Sequence, residues 1–228
     1  MDSPDDVDPK EKIKELGIIF NALGNLPKRA VIYHIGIKGK CLGGSANLVI
    51  PVVQNMKECG YSINPFSIPP KLSELRKKDG LVERDSDYFW RLTERGKDAF
   101  NIIEWMLGSA SHSRKCKIAL KEWCPILDAI GNPIKRIIVM YLGRKGESKG
   151  GSKYLITPIV KGCEQLGVML NPFSLPPKLS ELKNHDGLVE QSKNGYWRLT
   201  KSGKMAYSLF VHIAENGLKR HITEQSLD

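Results

Sequence analysis

Nowhere in the 228 residues does an apolar run approach the roughly 20 needed to cross a bilayer as a helix, which excludes a helical membrane protein. The five cysteines (Cys41, Cys59, Cys116, Cys124, Cys163) are an odd number without a Cys-x-x-Cys, so the expectation is reduced, mostly buried thiols. His112, Cys116 and Cys124 lack a fourth ligand and the spacing of a structural zinc site. No metal or other cofactor is expected. Residues 143–153 are rich in glycine and lysine but do not fit Gly-x-x-x-x-Gly-Lys-Ser/Thr, which excludes a nucleotide-binding P-loop. The acidic start, Met1-Asp2-Ser3-Pro4-Asp5-Asp6-Val7-Asp8, lacks the basic then apolar order of a signal peptide, and the expected location is the cytoplasm.

What the chain does have is itself, twice. At a constant offset of 107, residues 13–106 and 120–213 agree at 41 of 94 positions without an insertion or deletion. A period this long means two copies of a small domain rather than a solenoid, and each copy is large enough for its own modest core. The expected division is an acidic disordered tail (1–10), a first repeat (11–107), a linker (108–119), a second repeat (120–213) and a C-terminal tail (214–228). The tightest match sets Asn64-Pro65-Phe66-Ser67-Ile68-Pro69-Pro70-Lys71-Leu72-Ser73-Glu74-Leu75 against residues 171–182, with 11 of 12 identical. No acid pair, nucleophile with a base, or ligand cluster recurs in both copies, so no catalytic residues are expected and the chain is not read as an enzyme. Glu74 and Glu181 recur, but a helix-surface carboxylate needs no catalytic role.

Formal charge is +10, and it belongs to the repeats. Residues 21–106 carry 13 basic and 9 acidic side chains and residues 128–213 carry 13 and 6, whereas 1–20 is net acidic with 3 and 6. A basic folded surface attracts polyanions through Coulomb forces and counterion release, which puts nucleic acid first among partners.

Within one repeat, Ile13, Leu16, Ile19, Phe20 and Leu23 recur at helical spacing until Gly24-Asn25, and a second helix follows from Pro27. Residues 36–44 read as a loop. Leu48, Val52, Val53 and Met56 give a third helix, kinked at Pro51 or starting later than its apolar pattern because of it. Ser67 is placed to cap a fourth helix whose first turn holds Pro69 and Pro70. Gly80 ends it, two strands follow at 81–84 and 89–93, and a last helix starts at Glu94. In the second copy Asn194-Gly195 signals a two-residue hairpin turn with positive φ at both residues.

Three helices with a two-stranded hairpin appended resemble the winged variant of helix-turn-helix, giving a mainly α fold with small β-hairpins (α+β), in tandem. Ala22-Leu23-Gly24-Asn25-Leu26-Pro27-Lys28-Arg29 resembles the helix-entry phrase of ArsR-like regulators. Leu72-Ser73-Glu74-Leu75, Asp79-Gly80-Leu81-Val82-Glu83 and Trp90-Arg91-Leu92-Thr93-Glu94-Arg95-Gly96 are similar to the recognition-helix end, wing and exit helix of ArsR/MarR-type proteins. Two features depart from that pattern. Leu75 precedes Gly80 by five residues rather than four, and the segment before the recognition helix is longer and richer in proline.

The resemblance implies a double-stranded DNA partner, with the recognition helix in the major groove and the wing on phosphates. Lys71 and Lys178 match in the first turns of the recognition helices. Arg76, Lys77 and Lys78 correspond to Lys183, Asn184 and His185, so the two helices are expected to read different bases. Arg84 and Arg91 in one wing, and Lys193 and Arg198 in the other, are placed for phosphate; Arg91 and Arg198 alternatively solvate the outer face of a strand. Arg144, Lys145, Lys149 and Lys153 form a second basic patch. A fused pair implies a covalent pseudo-dimer acting as a transcriptional regulator. Alternatives are a plasmid-type replication initiator binding repeated origin sequences and a protein-interaction scaffold within transcription or replication machinery. The terminal helices are candidates for homodimerisation, and the last helix of repeat 1 is expected to pack on the first of repeat 2, with a helix over 114–123 broken at Cys124-Pro125.

Overall fold

A computed structural model describes residues 9–107, 123–165 and 168–216. The linker at 108–119, with His112 and Cys116, and the tail beyond 216 lie outside the described residues. The described residues are mostly helical with two small antiparallel sheets. Helix α1 (Pro9–Leu23) ends at Gly24, and α2 (Leu26–Lys38) starts where the Asn25 side chain accepts from the Lys28 N–H at 3.2 Å. In the second half the described residues resume at 123, with 123–130 helical (α6) including Cys124-Pro125; the rest of the helix expected over 114–123 lies outside the described residues. Helix α7 (Pro133–Lys145) is capped in the same way as α2, by Asn132.

The stretch read as a loop contains a strand. β1 (Lys40–Leu42) pairs with β3 (Phe89–Leu92), which pairs in turn with β2 (Val82–Arg84), all antiparallel. The equivalent sheet is β4 (Glu147–Lys149), β6 (Tyr196–Leu199) and β5 (Val189–Gln191). Three residues beside glycines carry too little alternation to announce a strand, but β3 offers β1 an open edge. The hairpin forms in both halves, though not with the expected two-residue turn. Four residues connect the strands, and Gly195 (φ 79°) and Tyr88 (φ 67°) alone take positive φ there, the pattern of a longer turn closed by one left-handed residue.

Pro51 has the expected consequence. Ser45–Val49 winds as a π turn and α3 (Ile50–Glu58) begins beyond it with Pro51 in its first turn, where the missing N–H costs nothing. Ser152–Ile156 and α8 (Thr157–Gln165) repeat this. The fourth helices are α4 (Ile68–Glu74) and α9 (Leu175–Asn184). Ser67 does not cap α4. It sits in a 3-10 turn (Pro65–Ser67) with helical φ and ψ, its hydroxyl donating to the Asn64 carbonyl at 2.6 Å, and the Asn64 carboxamide takes the capping role by accepting from the Phe66 N–H at 3.0 Å. The extra residue between Leu75 and Gly80 is absorbed by a π turn at Leu75–Asp79, whose closing N–H is that of Gly80 (φ 64°). Thr93 then caps α5 (Glu94–Leu107), accepting from the Gly96 N–H at 3.1 Å, and Thr200 does the same for α10 (Lys201–Asn216), which runs past residue 213.

Two separate cores were the expectation from size; instead, buried residues of both halves form one continuous apolar cluster. The halves meet through residues equivalent under the 107 offset. A methyl group added at Gly24 would stand 2.6 Å from the Cα of Gly131, and one at Gly131 would stand 2.8 Å from the Cα of Gly24. Trp105 stacks on His212 with ring centroids 4.4 Å apart. Equivalent residues touch only on a rotation axis that exchanges the copies, so the halves are related by a pseudo-twofold. Around the axis Phe20 meets Phe210 edge-on at 5.3 Å, Arg29 pairs with Asp128 at 3.1 Å, and the Arg136 guanidinium lies 5.4 Å over the Phe20 ring. Trp105 also meets Trp123 edge-on at 5.9 Å, so the expected exit-to-entry contact is one part of a larger joint.

Candidate nucleic-acid interface

In each half α4 or α9 packs one face inward and presents the other. Ile68, Leu72 and Leu75 are buried, as are Leu175, Leu179 and Leu182. The outward stripe of the first copy is Phe66, Pro69, Pro70, Ser73, Arg76 and Lys77, all exposed. Six residues of the near-identical segment (Asn64, Pro65, Phe66, Pro69, Pro70, Ser73) are exposed in both copies, so core packing does not account for their retention while neighbouring surface positions diverged.

Behind this stripe runs a four-residue ionic network, identical in both copies. Lys28, 7% exposed, reaches Asp79 at 2.7 Å and Glu74 at 3.0 Å, and Lys71 reaches Glu74 at 2.7 Å. Lys135, Asp186, Glu181 and Lys178 repeat the arrangement at 2.6, 3.0 and 2.6 Å. The lysine hydrogen bonds hold the Glu74 carboxyl down at about 2, and they also lower Glu181. Burial opposes the charge on Lys28 and Lys135, but bonds from the carboxylates outweigh it and raise both. Lys71 and Lys178 are therefore engaged with carboxylates of their own helices instead of standing free at the front, while Lys28 and Lys135 tie α2 to α4 and α7 to α9.

Between that helix and the hairpin lies a groove, again in both copies. The first, about 500 Å³, is lined by Pro69, Ser73, Arg76, Lys77, Arg84 and Trp90 among others. The second, about 680 Å³, has Pro176, Ser180, Lys183, Asn184, Gln191 and Trp197 at the equivalent places, with Lys149 added from β4. Each groove has a tryptophan on its wall, and a side chain at Gly43 or Gly150 would meet the indole Nε1 at 2.9 or 3.0 Å. Arg84 lies 5.8 Å over the Trp90 ring and 4.7 Å over Tyr88; Lys183 lies 5.6 Å over Trp197. Cations stacked on aromatic faces are held in place while their charge remains exposed.

The sequence-predicted contact residues divide accordingly. Arg76, Lys77, Arg84, Lys183, Asn184 and Lys149 line the grooves. Lys78 and His185 are exposed at the helix ends, with His185 beside Asp186 at 3.0 Å. Arg91 and Arg198 lie on the other face of their strands. Arg91 faces Lys40 and Glu83 across the sheet and pairs with Asp85 at 2.7 Å, whereas Arg198 sits between Glu147 and Glu190, pairing with the latter at 2.6 Å. Lys193 is exposed at the tip of the second hairpin, where the first has Asp85 and Asp87. Arg144 is exposed at the end of α7, and Lys145, Lys149 and Lys153 surround Tyr141 and Tyr154 at 5.5 to 5.6 Å from ring centroids. The first copy has Ile37, Leu42 and Ala46 where the second has Arg144, Lys149 and Lys153, so the second half carries the denser basic surface.

Sequence reasoning missed Phe66, Phe173, Trp90 and Trp197. An aromatic residue reads as core, yet Phe66 falls outside the Ile68, Leu72, Leu75 spacing of its helix. That displacement, together with its retention in both copies, was the available signal. Comparison of the chain with protein-family models, curated proteins and solved structures finds no match. Among the described residues no cluster of three His, Cys, Asp or Glu side chains forms a metal site, and no helix is long and apolar enough to cross a membrane.

Proposed function

We propose that the chain is a sequence-preferring double-stranded DNA-binding protein, a pair of winged-helix units fused into a covalent pseudo-dimer and acting as a transcriptional regulator. The observation that carries this reading is the duplicated assembly of an exposed helix face and a cation-lined groove, with a pseudo-twofold relating the copies. A duplex has a dyad of its own, so a dyad-related pair of helices fits half-sites in inverted orientation on successive major grooves, about 34 Å apart. The groove cations supply phosphate contacts, and the outward stripe of α4 and α9 faces the bases. Because Arg76, Lys77 and Lys78 are exchanged for Lys183, Asn184 and His185, the half-sites are related but unequal. A replication initiator on direct repeats would call for a translational arrangement, which the dyad does not favour.

Titrating a fluorescent 30-base-pair duplex with the whole chain at increasing salt tests the reading. Four phosphate contacts give a slope of about −4 in log affinity against log salt. Millimolar affinity that is flat with salt would overturn it.

A further inference from the structure

The front of each reading helix is apolar, and its backbone N–H groups are already used or absent. Phe66 is 86% exposed and Phe173 85%, and each is fixed by the same turn. The Asn64 carboxamide oxygen accepts from the Phe66 N–H at 3.0 Å, and the Asn64 carbonyl accepts from the Ser67 N–H at 2.9 Å and its hydroxyl at 2.6 Å. Asn171 binds Phe173 and Ser174 with distances of 3.0, 3.0 and 2.5 Å. The Ile68 N–H is spent on the Pro65 carbonyl and the Leu175 N–H on the Pro172 carbonyl. Pro65, Pro69 and Pro70, like Pro172, Pro176 and Pro177, have no N–H to give. Such a tip has no backbone N–H left to grip a phosphate as helix starts commonly do, and it presents an exposed aromatic ring instead. The cations beside it, Arg76, Lys77 and Lys183, lie at the other end of the helix.

Resting on the DNA reading above, we propose that Phe66 and Phe173 select thymine by packing against its C5-methyl group in the major groove, the one apolar feature of the base edges there. The rigid turn makes this contact cheap in entropy, since the ring is already held outward before binding.

The test uses the best duplex recovered from a random pool by the intact chain, with each thymine replaced in turn by deoxyuridine, which lacks only the methyl. Losing one buried methyl weakens binding about fourfold in one half-site, and about fifteenfold when both half-sites are substituted. The Phe66→Ala/Phe173→Ala double variant, truncated at exposed positions that leave the fold intact, binds the thymine and deoxyuridine duplexes equally; Phe66→Leu/Phe173→Leu keeps part of the discrimination. Insensitivity to deoxyuridine at every thymine, or discrimination that persists in the double alanine variant, overturns the proposal while salt-dependent duplex binding survives. Recovery of no duplex at all removes the DNA reading itself.

Discussion

Trp105 lies flat against His212, its own counterpart 107 residues along the chain, with ring centroids 4.4 Å and planes 18° apart. Together with the backbone contact of Gly24 and Gly131, this marks the pseudo-twofold at two points, on the entry helices and on the exit helices. A side chain at Gly24 would meet backbone rather than a flexible tip, so the joint must open to admit it. Gly24→Ala therefore costs about 1–3 kcal/mol of overpacking. Gly162→Ala, in α8 with open space around it, stabilises by about 0.5–1 kcal/mol. Urea unfolding of the two variants checks this, and equal effects would contradict the joint.

The ionic network makes unequal demands on its two lysines. Lys28→Ala strands Asp79, itself only 6% exposed, and should cost about 3–5 kcal/mol, whereas Lys28→Met loses less because it still fills the space. Lys71→Ala breaks a pair nearer the surface and costs about 1 kcal/mol or less. Thermal denaturation of the three variants distinguishes this order from one in which Lys71 is the structural lysine.

Acid should dissolve the same network. Glu74 is held at about 2 against an ordinary 4.5, so it binds protons less readily folded than unfolded. Its stabilising contribution is complete above pH 4.5 and disappears as the pH falls toward 2. The stability gap between the wild type and Glu74→Gln is accordingly present at pH 6 and closes between pH 4.5 and 2. Urea midpoints at pH 6, 4 and 3 provide the measurement; a gap independent of pH would refute the assignment.

Much of this was legible in the chain. Repetition at a fixed offset, the end of α1 at Gly24 and the next helix beside Pro27, Pro51 in the first turn of α3, and the hairpins all follow from local chemistry. What escaped was non-local. β1 exists because β3 offers an edge, and no three-residue window could declare that. The single core arises from contacts between copies, which a pattern read one repeat at a time does not contain. Lys71 has Glu74 three residues along its own helix, but Lys28, which holds Glu74 from α2, joins the pair only once α4 lies on α2. Phe66 carried no reading of its own in the sequence, and only the turn fixed by Asn64 places it outward.

The division of the cations into groove and outer-face residues is testable by salt dependence. Arg76→Ala and Lys183→Ala should each reduce the magnitude of the log–log salt slope for duplex binding by about 0.9. Arg91→Ala and Arg198→Ala, which remove cations paired with Asp85 and Glu190, should leave it nearly unchanged. Equal effects from all four would place the duplex across both faces of the hairpin.

Selection of bound duplexes from a random pool, followed by sequencing, tests the central claim most directly. The account predicts two related, unequal half-sites in inverted orientation, centred about one helical turn apart. Half-sites in direct orientation, or a pool that enriches nothing, would contradict it.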